Sequence, residues 1–390
     1  MTNVCFYFQV HQPYRLRQFQ VFDIGASRDY FDEHKNREVC QKVAHKCYLP
    51  MNKVVLDLIK KHDGKFRVSY AITGTAIEQF ERYAPDVLKS FQKLAKTGCV
   101  EFLGETYYHS LAYLFDRNEF KDQVDMHHDL IHKHFGKSPQ VLRNTELIYC
   151  NDLARHAQMM GYKAILAEGA DHILGGRSPN VVYASPTASS MPVLLKNYKL
   201  SDDIAFRFSD KNWNEHPLTA EKFANWVAPA LGDSVNLFMD YETFGEHQWE
   251  DSGIFEFFKA LPSALFKRGV GFHTPSDLTT TQPKDVVDVH LPISWADLER
   301  DTSAWLGNQM QRTAIEALYA LKDGVFESGD QSLIDDWRRL TTSDHFYYMC
   351  TKWFSDGDVH KYFNPYETPY DGYMVFMNVL EDIRTRIKIV

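Results

Sequence analysis

Short apolar runs recur along this chain, and longer amphipathic stretches separate them. The runs are Val4–Val10, Phe66–Ile72, Val100–Leu103, Val141–Leu142 with its neighbours, Ala164–Ala167, Ile204–Phe208 and Val235–Met239. Several are apolar on both faces, as parallel strands covered by helices must be. Between them, Met51–His62 places Val54, Val55, Leu58 and Ile59 on one helical face, and Pro85–Thr97 does the same with Val87, Leu88, Phe91 and Leu94. Asp152–Gly161 ends at a glycine suited to a helix C-terminus. This alternation predicts an α/β fold. Seven such units favour a closed or nearly closed (β/α) barrel over a short open sheet.

The pattern changes after about residue 295. From Asp297 onward the periodicity is helical, with helices expected at Met310–Leu321, Gln331–Trp353 and Tyr373–Ile389 and breaks at Asp356–Asp358 and Pro365–Pro369. The expected organisation is a barrel over residues 1–295 and a helical region over 296–390 packed on it. Leu174–Leu194, rich in Gly, Ser and Pro, reads as a long loop after the fifth strand.

At 390 residues and 44% hydrophobic content the chain can bury a large core. A formal charge of −9 without a basic tract argues against nucleic-acid binding. Cys5, Cys40, Cys47, Cys99, Cys150 and Cys350 form no CxxC pair and read as reduced, buried thiols. The N-terminus has no basic n-region or cleavage site, and no run is long enough to span a membrane, so a cytoplasmic protein is expected. Oligomeric state is left open.

The residues that follow the runs carry the chemistry. His11 follows the first, Glu105 with Tyr107 and His109 the third, Glu146 the fourth, Glu168 the fifth, Asp210 and Trp213 the sixth, and Asp240 with Glu242 the seventh. In βα folds such strand ends converge on one rim. Singly, each acid is an ordinary salt-bridged or solvated loop residue. Together they suit a polar pocket for a hydroxyl-rich ligand, and a pair of carboxylates is what glycosidic cleavage uses. The cluster of His127, His128, Asp129, His132 and His134 invites a metal reading, but a solvated helix face explains it better. A metal-dependent deacetylase would need an Asp and two His around an open site; only His11 and His109 are at hand, so no metal or other cofactor is expected.

HQP at 11–13, GETYYHS at 104–110, RNTELIYCND at 143–152, FMDYETFGEH at 238–247 and SAWLGNQMQ at 303–311 resemble, in order, the five conserved regions of glycoside hydrolase family 57, especially its α-amylase branch. The resemblance implies an incomplete seven-stranded (β/α) barrel followed by helices. It implies Glu146 as nucleophile and Asp240 as acid/base of a retaining reaction on α-glucans or maltooligosaccharides. His11 and Glu105 match sugar-binding positions, and Trp305 matches an aromatic that lines the groove. His247 stands where the glucanotransferase branch carries Trp, which favours the amylase branch. Tyr107, Trp213 and Glu242 complete the expected substrate-binding set. Two alternatives stay open: a 4-α-glucanotransferase on the same scaffold, and a catalytically weak protein that binds glucan. The two carboxyl roles require different pKa values, so Asp240 should be raised by Glu146 and Glu242.

Overall fold

A computed structural model describes residues 2–352 and 364–387. Ten strands form two sheets: β1 (Asn3–Val10), β2 (Val68–Ile72), β3 (Val100–Phe102), β4 (Val141–Arg143), β5 (Ala164–Glu168), β6 (Tyr183–Ser185), β7 (Ala188–Lys196), β8 (Val235–Asp240), β9 (Gly271–His273) and β10 (Asp285–Val286). One sheet runs β3-β2-β1-β8, with β9 also on β1; the other runs β10-β6-β7-β5-β4. Their edges meet twice. Gly104 bridges to Leu142, with Gly104 N donating to Val141 O at 2.9 Å and Arg143 N to Gly104 O at 2.8 Å. Across the other seam Asn197 N donates to Asn236 O at 2.9 Å, and Asn236 Nδ2 to Leu195 O at 2.8 Å. Strands β1, β2, β3, β4, β5, β7 and β8 therefore ring a (β/α)7 barrel of parallel strands.

Strand alternation sorts the side chains. On β1, Val4, Phe6, Phe8 and Val10 point out into the core beneath the helices, whereas Cys5 and Tyr7 join Ala71, Leu103, Val141, Leu166, Leu194 and Phe238 inside the barrel. One step further up the same strands, the buried inward positions turn polar: Gln9, Glu105, Arg143, Glu168 and Lys196. Asp240 shares this level through its pairing with Gln9, and Glu168 pairs with Lys196.

The sixth expected strand is a helix. Tyr198–Ala205 is helical, started by Asn197, whose side chain accepts from Leu200 N. A short apolar run fits either period, and here Ile204, Ala205 and Phe208 bury together from a helix and the turn after it. The true sixth barrel strand is β7, which begins inside the segment Leu174–Leu194 expected as a loop and makes an antiparallel hairpin with β6. Its polar first half and Pro192, paired with Ala184, disguise it. Asp210 is consequently exposed beyond a helix, not at a strand end.

No strand follows β10 among the described residues. Helices Ser303–Leu306, Gln309–Ala320, Lys322–Glu327, Gln331–Leu340, Ser343–Tyr347 and Pro369–Ile387 build a second core around Trp305, Leu318, Trp337, Phe346 and Phe376. The helix expected through Trp353 breaks after Leu340, because Thr342 is extended and Ser343 N donates to His109 O at 2.9 Å. Trp353, the break at Asp356–Asp358 and Ile389 lie outside the described residues. All six cysteines are buried, and none is in a disulfide. No helix among the described residues is long and apolar enough to cross a membrane.

Residues 14–31 cover the join between barrel and helices, and Asp382 ties them down. Its fully buried carboxylate accepts from Gly25 N at 2.6 Å, Tyr30 OH at 2.5 Å and Arg386 Nε at 2.6 Å. Replacing it by Ala strands three donors. Asp382→Ala is expected to lower stability by about 3 kcal/mol, read as a lower urea midpoint with an unchanged m-value.

Candidate active site

Two of the expected residues sit in sparsely populated backbone. Glu146 has φ 58° and His109 φ 52°, both left-handed, and Leu147 follows at φ 51°. Surrounding bonds hold these turns: Ile148 N donates to Thr145 O at 2.9 Å, Asn144 Nδ2 to Ile148 O at 3.0 Å, and Trp295 N to Glu146 O at 3.1 Å. Strain held by several contacts is common where a side chain must be aimed.

The turns aim a chain of alternating charges. His109 donates through Nδ1 to Glu105 Oε2 at 3.3 Å and through Nε2 to Glu146 Oε1 at 3.0 Å. Burial by itself would lower its pKa; the bonds to Glu105 and Glu146 and the charge of Glu146 outweigh that and push it up to about 9. His109 is thus an imidazolium between two carboxylates. Burial likewise favours protonation of Glu146, but the His109 bond and charge, Arg143 and the Trp295 donor hold it below its ordinary value. Glu105 is lowered in the same way, against its burial, by His109 and Arg143, and Gln9 Nε2 lies 3.2 Å from both its oxygens.

Asp240 moves the opposite way. Burial first, then the charge of Glu146, raises it to about 6, although Arg143, His109 and Lys196 pull it down. Glu242 is pushed higher, to about 8, by burial and by Asp240, and accepts from Tyr48 OH. It therefore keeps its proton while Asp240 titrates, which is why Glu146 and not Glu242 supplies the repulsion on Asp240.

His11 stacks on His109 with ring centroids 4.2 Å apart. Its Nε2 meets Asp344 Oδ2 at 2.9 Å and its Nδ1 meets Thr73 Oγ1 at 3.0 Å. Burial and the His109 charge lower its pKa, so it is neutral. Tyr107 lies over Gly74, where an added Cβ would come within 2.3 Å of the ring, and donates to Glu78 at 2.8 Å. His247 is half-buried, and burial lowers it to about 4.

Two expected platforms lie elsewhere. Trp213 packs edge-on against Trp226 on the outer core, ring centroids 6.2 Å apart, because the run before it is a helix outside the barrel. Trp305 is 1% exposed inside the helical core, against Tyr347, and offers no open face for a sugar.

Sequence reading missed four residues of the rim. Arg143 is fully buried, with Nη1 3.8 Å from Glu105 and its guanidinium 5.0 Å from the centre of the Trp295 ring and 5.8 Å from that of Tyr7. Trp295 donates from Nε1 to Glu146 Oε2 at 2.6 Å. Lys196 lies 5.3 Å from the Trp295 ring centre and joins Glu168, Asp202 and Arg300 in a buried cage with contacts of 3.1–3.6 Å. Asp344 arrives from the helical region. Arg143 stands inside the motif around Glu146 and was within reach of sequence reasoning; the others carry no local signal.

The histidine cluster disperses. His127 is buried, its Nε2 at 2.8 Å from Ile72 O and its Nδ1 accepting from Glu105 N at 3.4 Å. His128 and His134 pair with Asp129 and Glu81 on the outside, and His132 is exposed. No group of three or more potential metal ligands occurs among the described residues.

The sequence profile of Glycosyl hydrolase family 57 matches residues 5–290. The chain belongs to glycosyl hydrolase family 57. A Methanocaldococcus jannaschii protein named "Putative alpha-amylase" is 43% identical over 400 residues, covering 99% of this chain and 85% of that protein. Among solved structures, the family 57 branching enzyme of Pyrococcus horikoshii superposes with a TM-score of 0.68 at 15% identity, covering 97% of this chain and 88% of that one. The 4-alpha-glucanotransferase of Thermococcus litoralis gives 0.59 at 17% identity and 90% of this chain; the chain spans only 51% of that enzyme's length. At such identities the superpositions establish the fold.

In this family 57 site, Trp295 is the donor to Glu146 that does not itself titrate. Trp295→Phe is expected to raise the Glu146 pKa, moving the acidic limb of the pH–rate profile to higher pH. The bond to a charged group is worth about 1.5 kcal/mol or more, so kcat/KM should fall about tenfold or further. An unmoved acidic limb would show that the indole only fills space.

Proposed function

We propose that the protein is a retaining hydrolase of α-1,4-glucans, of the α-amylase type, with Glu146 as nucleophile and Asp240 as acid/base. The observation that carries this reading is the opposite displacement of two carboxyls on one rim. Glu146 is kept ionised, as a nucleophile must be, and Asp240 is kept protonated to about pH 6, as a proton donor must be. The names "Putative alpha-amylase" and 4-alpha-glucanotransferase among the relatives supply the substrate class.

The chemistry follows from the charges. A Glu146 oxygen attacks the anomeric carbon as the glycosidic C–O bond breaks, and Asp240 gives its proton to the departing oxygen. Glu146 becomes an uncharged ester, so the repulsion that raised Asp240 disappears. Asp240 then favours the carboxylate form in which it takes a proton from water, and the hydroxide end attacks the same carbon to release Glu146. Two displacements leave the configuration unchanged. In this reading the barrel of residues 1–295 carries the pair, the helical region 296–390 packs on it, and the substrate is starch- or glycogen-like glucan in the cytoplasm.

Product analysis of maltooligosaccharides and soluble starch is the test. Proton NMR should show the α-anomer formed first. Asp240→Asn is expected to lose on the order of 10²–10⁴-fold in kcat on starch, and Glu146→Gln more. The profile of kcat/KM should rise as Glu146 ionises and fall through about pH 6 as Asp240 loses its proton; Asp240→Asn should abolish that alkaline limb. Products longer than the substrate would make the protein a glucanotransferase. Binding without cleavage by the wild-type chain would leave a glucan-binding protein.

A further inference from the structure

Trp295 reaches Glu146 from a loop that has little apolar surface to hold it. The loop closes on itself: Ser294 N donates to Arg300 O at 3.1 Å, and Ser294 Oγ to Asp301 O at 2.5 Å. None of residues 295–300 is buried, and Leu298 is 79% exposed. Asp297 and Arg300 stand at φ 54° and 53°, left-handed values that persist in non-glycine residues only where contacts enforce them. The entry to the loop is fixed by the bridge between Tyr149 and Ile293. Its exit is fixed by charge.

Arg300 supplies that charge. Its Nη1 lies 3.5 Å from Glu168 Oε2, and its Nη2 lies 3.1 Å from Asp202 Oδ2. Both acids stand on regular elements: Glu168 ends β5, and Asp202 belongs to the helix Tyr198–Ala205. Lys196, at the end of β7, pairs with the same two acids at 3.6 and 3.3 Å, so the seat is held from a second strand. From this seat Arg300 Nη1 also donates to the Trp295 carbonyl. Trp295 in turn bonds Glu146 twice, N to O at 3.1 Å and Nε1 to Oε2 at 2.6 Å. Among the described residues, the side-chain partners of Arg300 are the two acids, that carbonyl and the Tyr198 ring, 4.7 Å away. Neither Glu146 nor Asp240 is among them. A planar fork of five donors can hold two carboxylates and a carbonyl at once.

We propose that Arg300 is a positioning residue for Glu146: it seats the 294–301 loop on Glu168 and Asp202 so that the Trp295 indole meets Oε2 of Glu146. The catalytic consequence rests on the glucan reading above. Without Arg300, Trp295 leaves Glu146, and the carboxylate loses a charge-assisted bond that favours its ionised form.

The test is a proton–nitrogen correlation spectrum of the full chain labelled at its seven tryptophans, in which Trp295→Phe identifies the Trp295 indole. In Arg300→Gln that signal is expected to move upfield, as a donor released from a carboxylate does, while the others stay in place. An unmoved signal would overturn the proposal. On maltooligosaccharides, Arg300→Gln should lower kcat/KM about tenfold and shift the acidic limb of the pH profile to higher pH. In a Trp295→Phe background the same substitution should change both little, because the bond it secures is already gone. Equal losses in the two backgrounds would also overturn the proposal, since a merely structural role is blind to Trp295. If circular dichroism shows that Arg300→Gln fails to fold, Arg300→Lys replaces it and the same signal is read, because a single ammonium cannot reproduce the fork. A displaced indole signal in Arg300→Gln, with no glucan cleavage by the wild type, would overturn the glucan reading while supporting Arg300 as the anchor of Trp295.

Discussion

A guanidinium with no solvent exposure, that of Arg143, sits on top of the apolar barrel interior. Its presence sets the terms for everything above it. A buried cation is costly unless opposite charge surrounds it. Here the surroundings are Glu105 at 3.8 Å, Glu146 and Asp240 within electrostatic reach, and the faces of Trp295 and Tyr7. The imidazolium of His109 adds the second positive charge between Glu105 and Glu146. Against two cations, two of the three carboxyls are stabilised as anions, and the third, Asp240, is left with the raised pKa. The opposite displacement of the Glu146 and Asp240 carboxyls is thus a property of the whole charged layer.

A second cage, of Lys196, Glu168, Asp202 and Arg300, stands beside the first. Trp295 joins them: its ring faces both Arg143 and Lys196, its carbonyl accepts from Arg300, and its indole donates to Glu146. The loop after β10 is therefore held by one set of ion pairs while it positions a member of the other. The helical region is coupled to the rim as directly, through Thr342, Ser343 and Asp344. Three left-handed non-glycine residues, His109, Glu146 and Leu147, lie where these supports converge, which is where strained backbone can persist.

Much of the barrel was legible because a buried parallel strand has few ways to be written. Runs such as those of β1, β2 and β8 admit no charged residue until the strand leaves the core, so the first acid or imidazole after them marks the rim. That reasoning places His11, Glu105, Glu146, Glu168 and Asp240. It fails at Ile204–Phe208, where a short apolar run has no length to distinguish a strand from a helix, and where Asn197 decides for the helix. It fails again at β7, whose first half is polar because Ser189 and Ser190 stay exposed in the hairpin with β6. Trp213 and Trp305 show the same limit for aromatics, since composition says nothing about which side of a core a ring faces.

By itself the sequence determined the alternation of strands and helices, the membership of family 57 that its motifs carry, and the carboxyls at the strand ends. These are local in the chain, written in periodicity and in short conserved spacings. Only the tertiary structure decided which charges meet. Arg143 with Glu105, Trp295 with Glu146, Arg300 with Glu168, and Asp344 with His11 are separated by 38 to 333 positions along the chain. Electrostatic energy depends on distance in space and on burial, and neither is encoded in separation along a sequence. The opposite pKa displacements of Glu146 and Asp240, on which the proposed chemistry rests, exist only once the barrel has closed.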